Sequence, residues 1–261
     1  MKVVILCGGL GTRLREETEF IPKPMVEIGG RPIIWHIMKS YAYYGYKDFI
    51  LCLGYKGEII KDYFLNYEAM NNDFTIRLGN PSKIDFNSNH AEDGWNITLA
   101  DTGEQAMTGS RIKQIEKYVK NDEEFMVTYG DGLADIDLNK LLSIHRKQKK
   151  IGTLTGVRPL SRFGEVIENR GVVKDFVEKP QSSKGYINGG FFVFNRKFFR
   201  YLSENYGCTL EREPLEKLTK EKELAIYPHK GFWQCMDTYR DYKYLKEMWE
   251  SDKAPWKIWK R

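Results

Sequence analysis

Cysteine and histidine are scarce in this chain, four of each among 261 residues. Cys7, Cys52, Cys208 and Cys235 stand alone, with no C-x-x-C pair. That argues against a disulfide framework or a cysteine zinc site and fits a reducing compartment. Cys7 and Cys52 lie in apolar runs, where a thiol packs as a small hydrophobe. No apolar run approaches the roughly 20 residues of a membrane-spanning helix. The short apolar start (Val3 to Cys7) falls short of a secretory leader, so a cytoplasmic protein is expected. Basic excess is also small: 41 Lys and Arg against 36 Asp and Glu give +5, and Lys253, Lys257, Lys260 and Arg261 sit together at the C-terminal end. A nearly neutral body offers no nucleic-acid stripe. The Lys147, Lys149, Lys150 cluster ends a helical pattern, where cations complement the dipole. Repeats, low-complexity tracts and linkers are absent, so one domain is expected over 1–261. Two familiar glycine motifs are missing as well. In Gly9-x-Gly11 the third dinucleotide position is Leu14, and no Gly-Lys-Ser/Thr tripeptide occurs.

What is present is a strand-like run, Val3-Val4-Ile5-Leu6, ending in Gly8, Gly9 and Gly11. Glycine lets the backbone take positive φ and brings N–H groups close to a ligand, and successive N–H groups form an anion-binding concavity. Arg13 adds a forked cation suited to phosphate. Lys23, between Pro22 and Pro24, is a cation on a stiff segment. We read Leu6 to Arg13 plus Lys23 as a nucleoside triphosphate cradle; a tight turn without ligand is the plainer alternative.

Strand and helix patterns alternate from there. A helix follows Pro32 through Ile37 and Met38 and stops at Gly45. Phe49 to Leu53 is a buried strand, and Glu58 to Tyr67 returns to helical spacing. Asn80 to Gly94 reads as a long polar loop, a lid or an oligomer contact, and its His90 has no visible partner. Trp95–Ala100 and Phe125–Tyr129 are strands, with a helix through Ile112, Ile115 and Val119 between them. Leu138 to His145 is helical, with His145 at the core edge. From Ile151 to Phe194 strands and hairpins dominate, including Val166-Ile167 against Val172 to Val177. Helices return near 196–202 and 213–222, a strand at 224–227, and an amphipathic helix at 241–249. This is an α/β chain with a Rossmann-like, mostly parallel sheet and a hairpin-rich C-terminal third. The pattern changes near residue 150, from strand–helix alternation over 1–150 to strands and hairpins at the start of 151–261. Ligands of such sheets bind beyond the carboxyl ends of the strands.

The runs GGLGTRLREET and PKPMVEIGGRPIIWHIM closely resemble the signature of the sugar-1-phosphate nucleotidyltransferases. Later runs narrow the resemblance to members that use CTP: WNITLADTGEQAMTGSRIK, FMVTYGDGLADID, RFGEV, VEKP, INGGFFVFN and GFWQCMDTYRD. The resemblance spans essentially the whole chain and implies the nucleotide-diphospho-sugar transferase fold, with 1–150 mainly a nucleotide-binding half and 151–261 mainly a sugar-binding half and C-terminal tail. It also implies cytidylyl transfer from CTP to α-D-glucose 1-phosphate, giving CDP-glucose and pyrophosphate for a bacterial surface polysaccharide such as an O-antigen. UTP or dTTP, another sugar 1-phosphate, or a silent nucleotide-sugar-binding subunit are the alternatives. A homo-oligomer is expected.

That reaction needs no general base, because a phosphate monoester's second pKa is about 6 and its oxygen is already anionic. The need is for cations, backbone donors and a divalent metal around a crowded anionic centre. Arg13 is the candidate for the β,γ-phosphates and Lys23 for the α-phosphate. Asp131, in Gly130-Asp131-Gly132 after a buried strand, is a natural Mg²⁺ ligand, and Asp237 closes the metal site from the other side. Both match metal positions in the resemblance; alone, each reads more readily as a turn residue or helix cap. The resemblance further places Lys179 on the sugar phosphate, Glu178 on sugar hydroxyls, and Asn188 and Gly189 in the sugar pocket. Trp233 lines that pocket or belongs to the core. Arg111 and the Gly8–Gly9 backbone are candidates for the base, with Leu6, Leu10, Gly11, Thr12 and Gly130 completing the nucleotide side. Arg111 also opens a helix pattern, which leaves a surface role open. Two departures stand out: Cys235 where GFWQPMD is expected, and Ala106 where a small polar residue precedes MTG. The aromatic tail Ala254 to Trp259 docks on a neighbouring subunit or on its own domain.

Overall fold

Alternating burial builds the centre of the molecule. In β1 (Lys2–Leu6), Val3 and Ile5 pack into one apolar cluster, while Val4 and Leu6 pack into another. Successive strand residues face opposite sides, so a strand apolar throughout must be covered on both. The computed structural model describes the chain apart from residues 12–13, 15–17, 78, 80–83, 87–89, 159–164, 170–171, 178–184 and 260–261. β2 (Asp48–Leu53), β3 (Asn96–Asp101), β4 (Glu124–Tyr129), β5 (Gly152–Val157), β6 (Ile187–Asn195) and β7 (Leu224–Pro228) join β1. They form one seven-stranded sheet in the order β7-β5-β6-β4-β1-β2-β3. Its ladders are parallel except the two that β6 makes with β5 and β4. The mostly parallel α/β sheet is therefore as expected.

The chain moves outward from β1 to β2 and β3, then returns to place β4 on the other side of β1. That reversal opens a crevice beyond the carboxyl ends of β1 and β4. Helix α1 (Ile33–Tyr43) starts after Pro32 and ends before Gly45, whose φ is +87°. Beside it lie α2 (Gly57–Leu65) and α3 (Tyr67–Asn71), two helices where one continuous pattern was expected. α4 (Thr108–Gln114) likewise stops at Ile115, and a separate turn of helix covers Glu116–Val119. α5 (Leu138–Gln148) buries His145, whose Nδ1 lies 2.9 Å from Thr153 Oγ1. α6 is Glu213–Lys220 and α7 is Tyr239–Glu250. No described helix is long and apolar enough to cross a membrane.

Two expectations change. The 80–94 stretch is not all loop: Ile84–Phe86 pairs antiparallel with Phe74–Ile76 as a hairpin. His90 also has partners, since its Nε2 lies 2.9 Å from Glu68 Oε1 and its Nδ1 accepts from Glu92 N–H at 3.1 Å. The tail, whose docking was open, packs on its own chain. Trp256 is fully buried, with Phe232 at 5.5 Å and Trp249 at 6.4 Å between ring centres. His36 sits in the same cluster: Nε2 donates to Ile28 O at 2.8 Å and Nδ1 faces Trp256 Nε1 at 3.5 Å. Burial lowers its pKa to about 4, so the ring is neutral.

Candidate active site

β1 and β4 deliver two turns to the crevice side by side. Gly130 N–H donates to Leu6 O at 3.0 Å, and Cys7 N–H donates to Cys52 O at 3.0 Å. Glycine is required at two points by close approach. A Cβ on Gly130 would lie 2.9 Å from Leu6 O, and one on Gly8 would run into the Arg111 guanidinium. These turns floor a cleft of about 610 Å³. Its walls carry Leu6 to Gly11, Lys23, Arg111, Tyr129 to Gly132, Asn188-Gly189, Trp233 and Asp237. Every candidate site residue among those described thus lines one cleft. Thr12, Arg13, Glu178 and Lys179 lie outside the described residues.

The centre of the cleft is ionic. Lys23 leaves a short turn, Lys23–Met25, that follows Pro22. Its Nζ lies 2.5 Å from Asp131 Oδ2 and 2.7 Å from Asp237 Oδ1. Burial opposes the ammonium charge, but the two carboxylates outweigh it and raise the Lys23 pKa. Asp131 comes from the end of β4. Asp237 comes from the strand Trp233–Cys235, which pairs with Gly132–Ala134 just beyond Asp131. Met236 N–H donates to Asp131 O at 2.8 Å and ties the two segments together. Asp237 is not the helix cap: Thr238 caps α7 and Asp241 closes the capping box. The Cys235 thiol, its pKa pushed up to about 12 by burial and then Asp237, stays protonated and lies 3.6 Å from Asp237 Oδ2.

Two carboxylates converging on one bound cation make a hard, oxygen-only donor pair, here holding an ammonium. Such a pair suits a divalent cation that keeps phosphate or water oxygens as its remaining ligands. No group of three or more His, Cys, Asp or Glu side chains that could hold a metal occurs among the described residues. Among the described residues, two carboxylates meet at this point.

Arg111 is buried beneath the glycine turn. Its Nη1 donates to Leu53 O, Thr102 Oγ1 and Gly103 O, each at 2.8 Å. Nη2 donates to Gly8 O at 3.0 Å and Glu104 O at 3.1 Å. The side chain is neither on the surface nor free: it binds the glycine turn to the 102–104 turn and shapes the wall between them.

On the opposite side, Asn188 is held in one orientation. Its Oδ1 accepts from Gly190 N–H at 3.0 Å, and its Nδ2 donates to Tyr129 OH at 3.3 Å. Trp233 Nε1 donates to Gly189 O at 2.7 Å, and the indole both lines the cleft and packs on the core. The sequence reading missed Tyr129 and Glu211. Tyr129 OH donates to Glu211, which also accepts from Thr108 Oγ1 at 2.8 Å. Burial and then the Glu211 charge hold the Tyr129 hydroxyl protonated. Tyr129 was findable as the last residue of a buried strand before Gly-Asp-Gly; Glu211, 82 residues away, carries no local signal.

Residues 2–249 match the family described as Nucleotidyl transferase. A glucose-1-phosphate cytidylyltransferase from Salmonella typhimurium is 50% identical over 259 residues, covering 99% of this chain and 100% of its own. A probable glucose-1-phosphate cytidylyltransferase from Bacillus subtilis is 47% identical over 267 residues, again 99% of this chain and 100% of its own. Among solved structures, HddC from Yersinia pseudotuberculosis complexed with GMP-PN superposes with a TM-score of 0.67 at 25% identity. It covers 95% of this chain and 99% of its own.

Proposed function

The chain belongs to the nucleotidyl transferase family, and from that premise we propose that it transfers a cytidylyl group from CTP to α-D-glucose 1-phosphate. A phosphate oxygen of the sugar attacks the α-phosphorus in line, pyrophosphate leaves, and CDP-glucose forms. The observation that carries the reading is the Lys23–Asp131–Asp237 junction at the floor of the crevice.

Each part of the chain has a task in this scheme. The Gly8 to Gly11 turn offers backbone N–H groups to the triphosphate, with Arg13 on the β,γ-phosphates. Lys23 supplies a cation for the α-phosphate, where negative charge rises in the transition state. Asp131 and Asp237 would hold a divalent ion, which we assign as Mg²⁺; when bound it neutralises phosphate charge as a Lewis acid. Arg111 frames the base pocket, and its longest hydrogen bond, to Glu104 O at 3.1 Å, is the one a cytosine acceptor most readily replaces. Asn188, Gly189 and Trp233 form the sugar side, joined by Glu178 and Lys179. The chain acts as one domain, its first half on nucleotide and its second on sugar, in a cytoplasmic homo-oligomer.

The test is pyrophosphate release with Mg²⁺ and glucose 1-phosphate, comparing CTP, UTP, dTTP, ATP and GTP. Strong preference for CTP is expected. Preference for UTP or dTTP overturns the base assignment, and nucleotide binding without turnover on any sugar phosphate overturns the enzyme reading. Asp131→Asn is expected to abolish turnover in a folded protein.

A further inference from the structure

One acidic side chain just outside the cleft holds both of its walls. Glu211 is exposed and ends the 204–211 stretch, two residues before α6. Its Oε1 accepts from the hydroxyl of Tyr129, at the end of β4. Its Oε2 accepts from Thr108 Oγ1 at 2.8 Å, at the start of α4. Tyr129 and Thr108 both line the cleft.

Hydrogen-bond polarity gives this bridge a direction. A carboxylate only accepts, and a tyrosine hydroxyl has one proton to give. With that proton on Glu211, the Tyr129 oxygen is left as an acceptor, and Asn188 Nδ2 donates to it at 3.3 Å. The other end of the Asn188 amide is fixed too, because Oδ1 accepts from Gly190 N–H at 3.0 Å. An amide nitrogen carries two protons, so one remains for a ligand in the cleft that Asn188 lines. Glu211 and the Gly190 N–H together decide which atom Asn188 offers.

The second arm reaches the wall assigned to the nucleotide. Thr108 Oγ1 accepts from Leu210 N–H at 2.9 Å while it donates to Glu211. Met107 N–H to Tyr206 O at 2.8 Å and Ser110 N–H to Cys208 O at 3.0 Å bind the 204–211 stretch along α4. Arg111, one turn further in the same helix, donates to Gly8 O at 3.0 Å. A shift of α4 against the glycine turn is therefore passed to the Glu211 carboxylate, and from there to Tyr129 and Asn188.

We propose that Glu211 is a positioning residue that couples the two substrates, bound through Thr108 to the nucleotide wall and setting Asn188 for the sugar phosphate through Tyr129. The proposal rests on the assignment of these walls to CTP and to glucose 1-phosphate. Nucleotide seated against α4 and the glycine turn holds one end of the bridge, so the sugar phosphate meets an Asn188 already in place. The coupling is reciprocal: the sugar phosphate tightens nucleotide binding by the same factor.

Titration calorimetry on the full chain with Mg²⁺ tests this. Glucose 1-phosphate is titrated alone and then at saturating α,β-methylene-CTP, which cannot transfer its nucleotide. In wild type the analogue should tighten sugar-phosphate binding about fivefold or more, the low end of ordinary coupling between sites. Glu211→Gln leaves one oxygen for two donors, and Thr108→Val removes one arm. Both should bring the ratio to about one while the analogue alone binds as in wild type. Thr108→Ser keeps the hydroxyl and should keep the wild-type ratio. A wild-type ratio of about one, or a Glu211→Gln ratio equal to that of wild type, overturns the proposal. So does an equal loss of affinity for both ligands, which marks a merely structural role. Wild type that binds no analogue at all overturns the nucleotide reading, and the proposal with it.

Discussion

Replacing Lys23 by Met tests the ionic junction directly. The ammonium lies 2.5 and 2.7 Å from carboxylates whose side chains are 27% and 14% exposed. Removing one partner of a fully buried ion pair costs about 3–5 kcal/mol, because the remaining charge is stranded. Here water reaches both carboxylates, so a loss of roughly 2 kcal/mol is the better figure. For a chain of this size each kcal/mol moves Tm by about 2–4 °C, so Lys23→Met should melt about 4–8 °C below wild type. A divalent cation should reverse much of that loss, since it can take the place of the ammonium between the two oxygens. At a hundredfold excess over its Kd it would add about 2.7 kcal/mol. The assay is thermal unfolding by circular dichroism, without nucleotide, at rising MgCl2 or MnCl2. Lys23→Met should gain more from the cation than wild type, whose site already holds a charge. Lys23→Met/Asp131→Asn should lose that gain. A variant that melts within 1 °C of wild type, or gains no more from the cation, would refute the reasoning.

Three further outcomes are expected. Arg111→Met strands the five oxygens that the guanidinium binds, and urea unfolding should show a loss of about 3 kcal/mol or more; titration calorimetry should show CTP binding lost with it, and intact binding refutes the framing role. Tyr129→Phe removes the hydroxyl linking Asn188 to Glu211, so KM for glucose 1-phosphate should rise by up to about tenfold with CTP affinity unchanged; a change confined to CTP would place the tyrosine on the nucleotide side. His36 is held neutral with a pKa of about 4 against 6.5 for the free group. The unfolded chain takes up that proton first, so the contribution is complete above pH 6.5 and falls away towards pH 4. The loss is roughly 2 kcal/mol by pH 5. His36→Gln should flatten the profile between pH 7 and 5, and parallel profiles would show that another group sets it.

The two glycine turns at the crevice were legible because their signals are local. Val3 to Leu6 followed by three glycines announces a buried strand and a tight turn, and Phe125 to Tyr129 before Gly-Asp-Gly announces a second. Parallel alternation then places both turns at one edge of the sheet. The 74–86 hairpin was hidden because Ile84 and Phe86 sit among Asn, Ser and Asp, which outweigh a three-residue alternation. The breaks at Asn66 and Ile115 were hidden because apolar spacing runs on across them. Arg111 could be placed near the base by resemblance, but its ring of carbonyl partners depends on where three separate turns meet. Glu211 is tied to the cleft only by the tertiary structure.

The Lys23 junction also has a meaning for how the protein reaches its native state. Its two contacts span 108 and 214 residues along the chain, so closing them is entropically dear until the sheet has formed. No fragment lacking the Trp233–Cys235 strand can bring Asp237 to Lys23. A partly folded chain therefore holds glycine turns without their charged floor. Under the proposed function, triphosphate binding then reports a finished fold, and ligand adds its binding energy only to the complete molecule.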